Sequence, residues 1–318
     1  MPPLRLGTRG SQLALYQART VAALLSERAG VECKIVVIRT SGDRLAEATL
    51  SEIGGKRLFV KEIEDALLEG TVDLAVHSSK DMPVILPEGL EISAVLERED
   101  PRDALVLPEN GVGSHLLRTT NDSRPHLIGT SSVRRIAQLA RLYPDATFAP
   151  IRGNLDTRLR KLDAGEYDAI VLAAAGLRRL DRGDRISASI AIADCVPAPG
   201  QGIIAIETRA GDPVRAHIER INDLPASLAL RAERAVITRL GGGCQMPIGA
   251  HAAVVGDGIT LTAIVTSLDG QQVARTQISG AASDPEAAGT RAAEQLLAGG
   301  ADAILADVQR AQASVDRP

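Results

Sequence analysis

LRLGTRGSQLALYQA (residues 4–18) and HLIGTSSVRRIAQLA (126–140) are one pattern written twice. Each has a short apolar strand, then Gly-Thr, then a serine that opens a helix. A second pair of echoes follows them. LLEGTVDLAVHSSKD (67–81) and LDAGEYDAIVLAAAG (162–176) each run from a helix end through glycine and aspartate into an apolar strand. Strand–helix–strand alternation implies a mainly parallel sheet covered by helices. Its repetition implies two similar α/β lobes.

The elements between these echoes fit that frame. Residues 10–30 have helical periodicity and end on Gly30, and CKIVVI (33–38) reads as a buried strand. FVKEIEDALLEG (59–70) reads as a helix and VDLAVHS (72–78) as a strand. The stretch 126–144 reads as strand, turn and helix, and 154–177 as helix, glycine and strand. VPAPGQGI (196–203) is a Pro/Gly-rich crossover, after which IIAIET (203–208) is a strand able to return to the first lobe. The pattern then changes. A helix over 227–240 leads to alternating stretches around GDG (256–258) and LDG (268–270), both hairpin signals. EAAGTRAAEQLLAGG closes the chain with a helix. The expected fold class is α/β: two lobes plus a smaller α+β C-terminal domain with an antiparallel sheet. The expected boundaries are 1–99 with 200–218 for a discontinuous first lobe, 100–199 for the second, and 219–318 for the last.

Composition narrows the function. The 318 residues are 45% hydrophobic and 24% charged, an ordinary globular balance. No apolar run is long enough to span a membrane. The N-terminus lacks the apolar middle of a signal peptide, so the expected compartment is the cytoplasm. Three scattered cysteines make no disulfide framework, and no CxxC or HExxH spacing marks a metal site. A formal net charge of −4 argues against nucleic acid as a partner. Arginines outnumber lysines thirty-one to five. Codon bias explains part of that, but the guanidinium fork also grips carboxylates and phosphates in pairs.

Arginines cluster where a parallel sheet would bind ligand. Arg9 and Ser11 occupy the first strand-to-helix turn. Arg134 and Arg135 follow Thr130, Ser131 and Ser132 in the equivalent turn of the second lobe. Arg152 precedes Gly153-Asn154, and Arg158 lies in the next helix. Ligands in open α/β folds bind at these carboxyl ends. Arg19, Arg141 and Arg160 read as solvated. HSSKDMP (77–83) ends a strand with serines, Lys80 and Asp81. Lys80 and Asp81 could pair with each other. A carboxylate among arginines would otherwise suit a cationic intermediate or a proton donor.

GGGCQMPIGA (241–250) presents Cys244 on a bare glycine loop. No histidine adjoins it as a base, His251 being the nearest. A cysteine that holds a group permanently as a thioether needs none.

Together GTRGSQLALYQA, GGKRLFVKEIE, VHSSKDMP, EREDPRDA, GTSSVRR, RGNLDTRLRKLDAGEYDAIVLAAAGLRRL, PGQG and GGGCQMPIGA resemble the hydroxymethylbilane synthase family, also called porphobilinogen deaminase. The motifs occur in the family's order through nearly the whole chain. The resemblance implies a transferase that joins four porphobilinogens head-to-tail, each losing ammonia, in tetrapyrrole and haem biosynthesis. It implies a dipyrromethane cofactor held by Cys244 as a thioether. It implies Asp81 as catalytic aspartate and Arg9, Arg134, Arg135, Arg152, Arg158 and Arg179 as carboxylate-binding arginines. Lys80, Ser78, Thr130, Ser131 and Ser132 match polar binding groups, with Ser11 beside Arg9, and Gln201 matches a hinge residue near the cofactor. It implies periplasmic-binding-protein-like lobes, a third domain carrying the cysteine loop, and a monomer. Arg57 stands where many members have glycine, in a glycine-rich loop that reads equally as a lid over the site or as an ordinary surface loop.

Overall fold

The computed structural model describes residues 2–41, 60–109, 127–243 and 245–315. The glycine-rich loop before Phe59, with Arg57, and Cys244 lie outside them.

The first sheet contains β1 (Leu4–Thr8), β2 (Cys33–Val37), β3 (Leu74–Ser78), β4 (Leu90–Val95) and β10 (Ile204–Arg209), in the order β2-β1-β3-β10-β4. The second contains β5 (Asp103–Val106), β6 (Leu127–Gly129), β7 (Thr147–Ala149), β8 (Ala169–Ala173) and β9 (Ala188–Ser189), in the order β7-β6-β8-β5-β9. The two orders correspond strand for strand. In each sheet the strand second from one edge runs antiparallel to both neighbours: β10 against β3 and β4, and β5 against β8 and β9. β5 is the strand by which the chain enters the second sheet, and β10 the one by which it returns to the first. The sequence echo is therefore a structural one. Leu6 sits in register with Ile35 and Leu74, and Ile128 with Phe148 and Ala169.

Helix α1 (Gln12–Ala29) starts where the Ser11 side chain accepts from Ala14 N–H, which satisfies one of the unpaired N–H groups of the first turn. It buries Gln17, Ala18, Val21 and Leu25, a stripe at helical spacing, against Leu6, Leu74, Val76 and Ile206. Each large side chain so buried contributes about 1.5–3 kcal/mol before entropy is counted. Helix α2 (Lys61–Leu68) follows, and α3 (Val133–Leu139), α4 (Leu155–Asp163) and α5 (Ala174–Arg179) belong to the second lobe. α6 (Arg215–Ile218) and α7 (Leu224–Leu240) follow β10.

The third sheet is an antiparallel meander of β11 (Ile248–Val255), β12 (Gly258–Thr266) and β13 (Val273–Ala281). Both expected hairpins are present. The sheet packs on α7, α8 (Pro285–Ala298) and α9 (Ala301–Val315) around Val236, Leu261, Ala292 and Leu296. α7 ends on Gly241, whose φ of 65° is the left-handed turn that releases the chain into the cysteine loop.

β4, β5, β9, α6 and α9 were not anticipated, and α5 occupies the end of the stretch 154–177, which was expected to finish as a strand. β5 and β9 are short, and the four residues of β5 are all buried, so no alternation marks it. α9 continues after Gly299-Gly300, where a single closing helix was expected.

Candidate active site

The carboxyl ends of β1 and β3 lie side by side. β1 leads into Arg9 and Ser11. β3 leads through Ser78 into a tight turn, Ser79–Asp81. Arg9, Ser11, Gln17, His77, Ser78 and Asp81 line one cavity at this end of the first sheet. Gln17 Nε2 donates to Ser78 Oγ at 2.9 Å, so α1 fixes the strand end that carries the turn. His77 Nε2 lies 3.0 Å from Oε2 of the buried Glu207 on β10. The Asp81 side chain is exposed.

Groups of the second lobe converge on the same place. Lys80 is held near Asp81, Arg135, Asp103 and Arg134. Burial, with the two guanidiniums, lowers its ammonium to about 8 although both acids oppose this. Arg158 is lowered to about 10 by burial first, then by Arg135 and Arg152, against the pull of Asp81. Arg158 Nε donates to Gly153 O at 2.9 Å, which orients the guanidinium. The cluster therefore holds several cations around one exposed carboxylate, with contributions from both sheets. It suits a ligand with several acidic groups and one centre that becomes positive.

Arg134 and Arg135 differ from expectation in what they touch. Their helix starts at the turn the sequence indicated, but both guanidiniums are buried against Asp103. Arg134 Nη1 donates to Asp103 Oδ2 at 2.8 Å, and Arg135 Nη2 to Oδ1 at 2.8 Å. Gln201 Nε2 also donates to Oδ1, at 2.8 Å, and Cys195 Sγ lies 3.4 Å from Oδ2. Burial alone would raise the Asp103 carboxyl, but Arg134 and Arg135 outweigh it and hold it far below the usual carboxylate range. Asp103 was missed in the sequence. Its one signal is an acid at the head of an apolar strand, DALVL, which can be buried only if it is paired.

The hydroxyls also turn inward. Ser131 Oγ donates to Ile151 O at 2.9 Å and accepts from Ile151 N at 3.1 Å. Thr130 Oγ1 accepts from Ser132 N, and Ser132 Oγ caps α3 at Arg135 N. These groups shape the turn, where the sequence reading aimed them at ligand. Arg179 is buried and donates from Nη2 to Gly202 O at 2.7 Å. Burial lowers its guanidinium, opposed by Glu99 and Tyr16, which sets it apart from the Lys80–Arg158 cluster. Arg19, Arg141 and Arg160 are exposed, as expected.

A further hub ties the lobes to the third sheet. Glu233 of α7 is fully buried. Its Oε1 accepts from Arg98 Nη1 at 2.5 Å and Ala252 N at 2.7 Å, and its Oε2 accepts from Gly200 N at 2.6 Å.

Residues 4–217 match the family model "Porphobilinogen deaminase, dipyromethane cofactor binding domain", and 227–298 match "Porphobilinogen deaminase, C-terminal domain". The porphobilinogen deaminase of Geobacter sulfurreducens is 46% identical over 316 residues, covering 99% of this chain and 97% of its own. That of Synechococcus elongatus is 48% identical over 308 residues, covering 96% and 95%. One solved structure, the second substrate-binding domain of a putative amino acid ABC transporter from Streptococcus pneumoniae, aligns loosely: 12% identity, 74% of this chain, 97% of its own, TM-score 0.42. Matched along nearly its full length at close to half identity, the chain belongs to the porphobilinogen deaminase family.

Proposed function

We propose that Asp81 is the catalytic carboxylate of this chain and that Arg9, Lys80, Arg152 and Arg158 hold the carboxylates of its substrate and growing product. The activity is that of the family. It is a hydroxymethylbilane synthase reaction: a transferase deaminates and joins four porphobilinogen molecules, then releases the linear product by hydrolysis. The cofactor is dipyrromethane. The observation that carries the residue assignment is that Asp81 is the exposed carboxylate in a cluster of cations drawn from both lobes, Asp103 being buried against Arg134 and Arg135.

The donor set fits the cofactor. Each of its rings carries an acetate and a propionate, which the cations suit, and a pyrrole N–H, which Asp81 can accept. When attached, dipyrromethane supplies the pyrrole carbon to which the first unit is joined. Cys244 would hold it, at the end of the glycine loop that follows α7.

The residues act mainly through charge. When the aminomethyl C–N bond of porphobilinogen breaks, the nitrogen leaves as ammonia and the ring is left as a cationic, azafulvene-like electrophile. Asp81 stabilises that developing charge as a carboxylate already fixed in place before the bond breaks. Lys80 and the arginines neutralise acidic groups added at each step. Asp103 and Gln201 hold Arg134 and Arg135 in place. Ser78, Ser11, Thr130, Ser131, Ser132 and Arg179 complete the proposed binding shell, the last four through the backbone they fix.

The domain boundaries at 1–99 with 200–218, 100–199 and 219–318 are supported by β10 pairing with β3 and β4. We place the enzyme in the cytoplasm as a monomer. Among the described residues no helix is long and apolar enough to cross a membrane.

Intact-mass measurement of the purified protein, followed by peptide mapping, tests the attachment. The expected result is an excess of two linked pyrrole units on the Cys244 peptide. A bare thiol that stays bare after porphobilinogen is added would overturn it.

A further inference from the structure

The backbone carbonyl of Val196 is a junction between the arginine helix and the strand that follows the cysteine loop. Arg134 Nη1 donates to it at 2.7 Å and Gln138 Nε2 at 3.1 Å. Val196 N returns a bond to Gln138 Oε1 at 2.8 Å. One residue on, Pro197 O accepts from Ala250 N of β11 at 3.0 Å. β11 is an edge strand of its sheet, so the crossover 195–197 covers the edge left open. The approach there is backbone against backbone. A Cβ on Gly249 would lie 2.6 Å from Val196 O and 2.9 Å from Val196 Cβ. The Gly249 φ lies outside the left-handed region, so the glycine is required by this contact and not by its own conformation.

We infer that Gly249 and Gln138 are positioning residues that set the register between the strand leaving the cysteine loop and the Arg134–Arg135 pair. Gly249 stands five positions after Cys244 in GGGCQMPIGA. Gln138 lies one helical turn after Arg134 and is 3% exposed. Both act on the carbonyl that receives Arg134. A methyl group at 249 must push either β11 or Val196 aside. Val196 is clasped from the other side by Gln138 and Arg134, and close-packed interiors transmit such shifts. The displacement therefore reaches the guanidinium that stands beside Arg135 on Asp103. The inference rests on the proposed attachment at Cys244, because only then does the register of β11 set where the pyrroles begin.

Gly249→Ala, Gln138→Leu and Gly256→Ala test it in the full-length protein. Gly256 lies in the β11–β12 turn of the same sheet with φ of 57° and open space around it, so alanine there strains the sheet without touching Val196. The readouts are melting temperature, intact mass before and after brief exposure to porphobilinogen, and kcat separated from KM. Gly249→Ala and Gln138→Leu should carry the same pyrrole mass on Cys244 as wild type. Their kcat should fall about 10- to 100-fold, the scale of a small misplacement at a reacting centre. KM should change by less than about twofold, and partly extended covalent adducts should accumulate. Gly256→Ala should lose melting temperature and keep the wild-type adduct pattern. Wild-type kcat and adducts in Gly249→Ala, or the same accumulation in Gly256→Ala, would refute the register. Should Gly249→Ala fail to fold, Gln138→Leu decides on the same criteria. A wild-type protein without pyrroles on Cys244 overturns the attachment reading, and this inference with it, before any variant is compared.

Discussion

Arg135 donates from Nε at 3.0 Å and from Nη2 at 2.8 Å to a single oxygen of Asp103. Arg134 takes the other oxygen, and Gln201 shares the first. The carboxylate has no exposed surface. Removing it would leave two buried guanidiniums without their counter-charge. Asp103→Ala should therefore lower stability by about 3–5 kcal/mol, the cost of breaking a buried pair from one side. The pH dependence has a definite sign. The native Asp103 carboxyl is held well below its unfolded value of about 3.9 by Arg134 and Arg135. Its contribution is then fully present above about pH 4 and is lost as pH falls toward the native value. Urea midpoints of wild type and Asp103→Asn between neutral and acidic pH should converge below about pH 4. A gap that persists undiminished into acid would show that the charge is not its source.

Asp81 stands at the opposite extreme. It is exposed, and no hydrogen bond in the described structure uses its carboxylate. Asp81→Asn should leave stability within about 0.5 kcal/mol of wild type, as for other surface changes. Turnover should fall by at least about 100-fold, the usual scale for deleting an electrostatic group aimed at developing charge. Melting temperature and single-turnover ammonia release measure the two separately. Retained turnover would remove Asp81 from the chemistry.

Lys80 should give the reaction an alkaline limb. Burial lowers its ammonium to about 8, with Asp81 opposing and Arg135 reinforcing. The charged form that attracts acidic substrate then disappears as pH rises through about 8. KM for porphobilinogen should climb above that pH. Lys80→Arg keeps its charge across the range and should flatten the limb, even where the altered shape raises KM overall. A limb unchanged in Lys80→Arg would assign it to another group.

The fold was legible where the signal is local. LRLGT and HLIGT each place an apolar strand, a tight turn and a capping serine within a dozen residues, and both became matching strand–helix units. The β10 crossover was legible because VPAPGQGI punctuates it. β5 was not, since four buried residues carry neither alternation nor a turn signal of their own. The site divides the same way. The residue types at strand ends were readable, so Arg9, Lys80, Asp81 and Arg158 fall together. Partner choice was not. Arg134 and Arg135 meet an aspartate some thirty positions earlier in the chain, and Ser131 meets Ile151 twenty positions later. Such pairings depend on which strands become neighbours, and no spacing within one motif encodes that.

Glu233 makes the last case, because its partners come from three separate segments. Arg98 leaves β4, Gly200 lies in the return crossover and Ala252 in β11. Glu233→Ala would strand the Arg98 guanidinium and two buried N–H groups together, at a cost of about 3–5 kcal/mol. Glu233→Gln keeps the shape, but one end of the amide is a donor and cannot accept. It should cost less, about 1–3 kcal/mol, the range for a buried group left unpaired. Arg98→Leu combined with Glu233→Leu removes both charges and should recover part of the loss seen in Glu233→Leu alone. Recovery should be incomplete, because Gly200 N and Ala252 N stay unpaired in both the Glu233→Leu single and the double variant. Denaturant unfolding of the singles and the double gives the coupling directly. A double variant no more stable than Glu233→Leu would mean that the stranded guanidinium contributes nothing, and that the backbone N–H groups account for the whole effect.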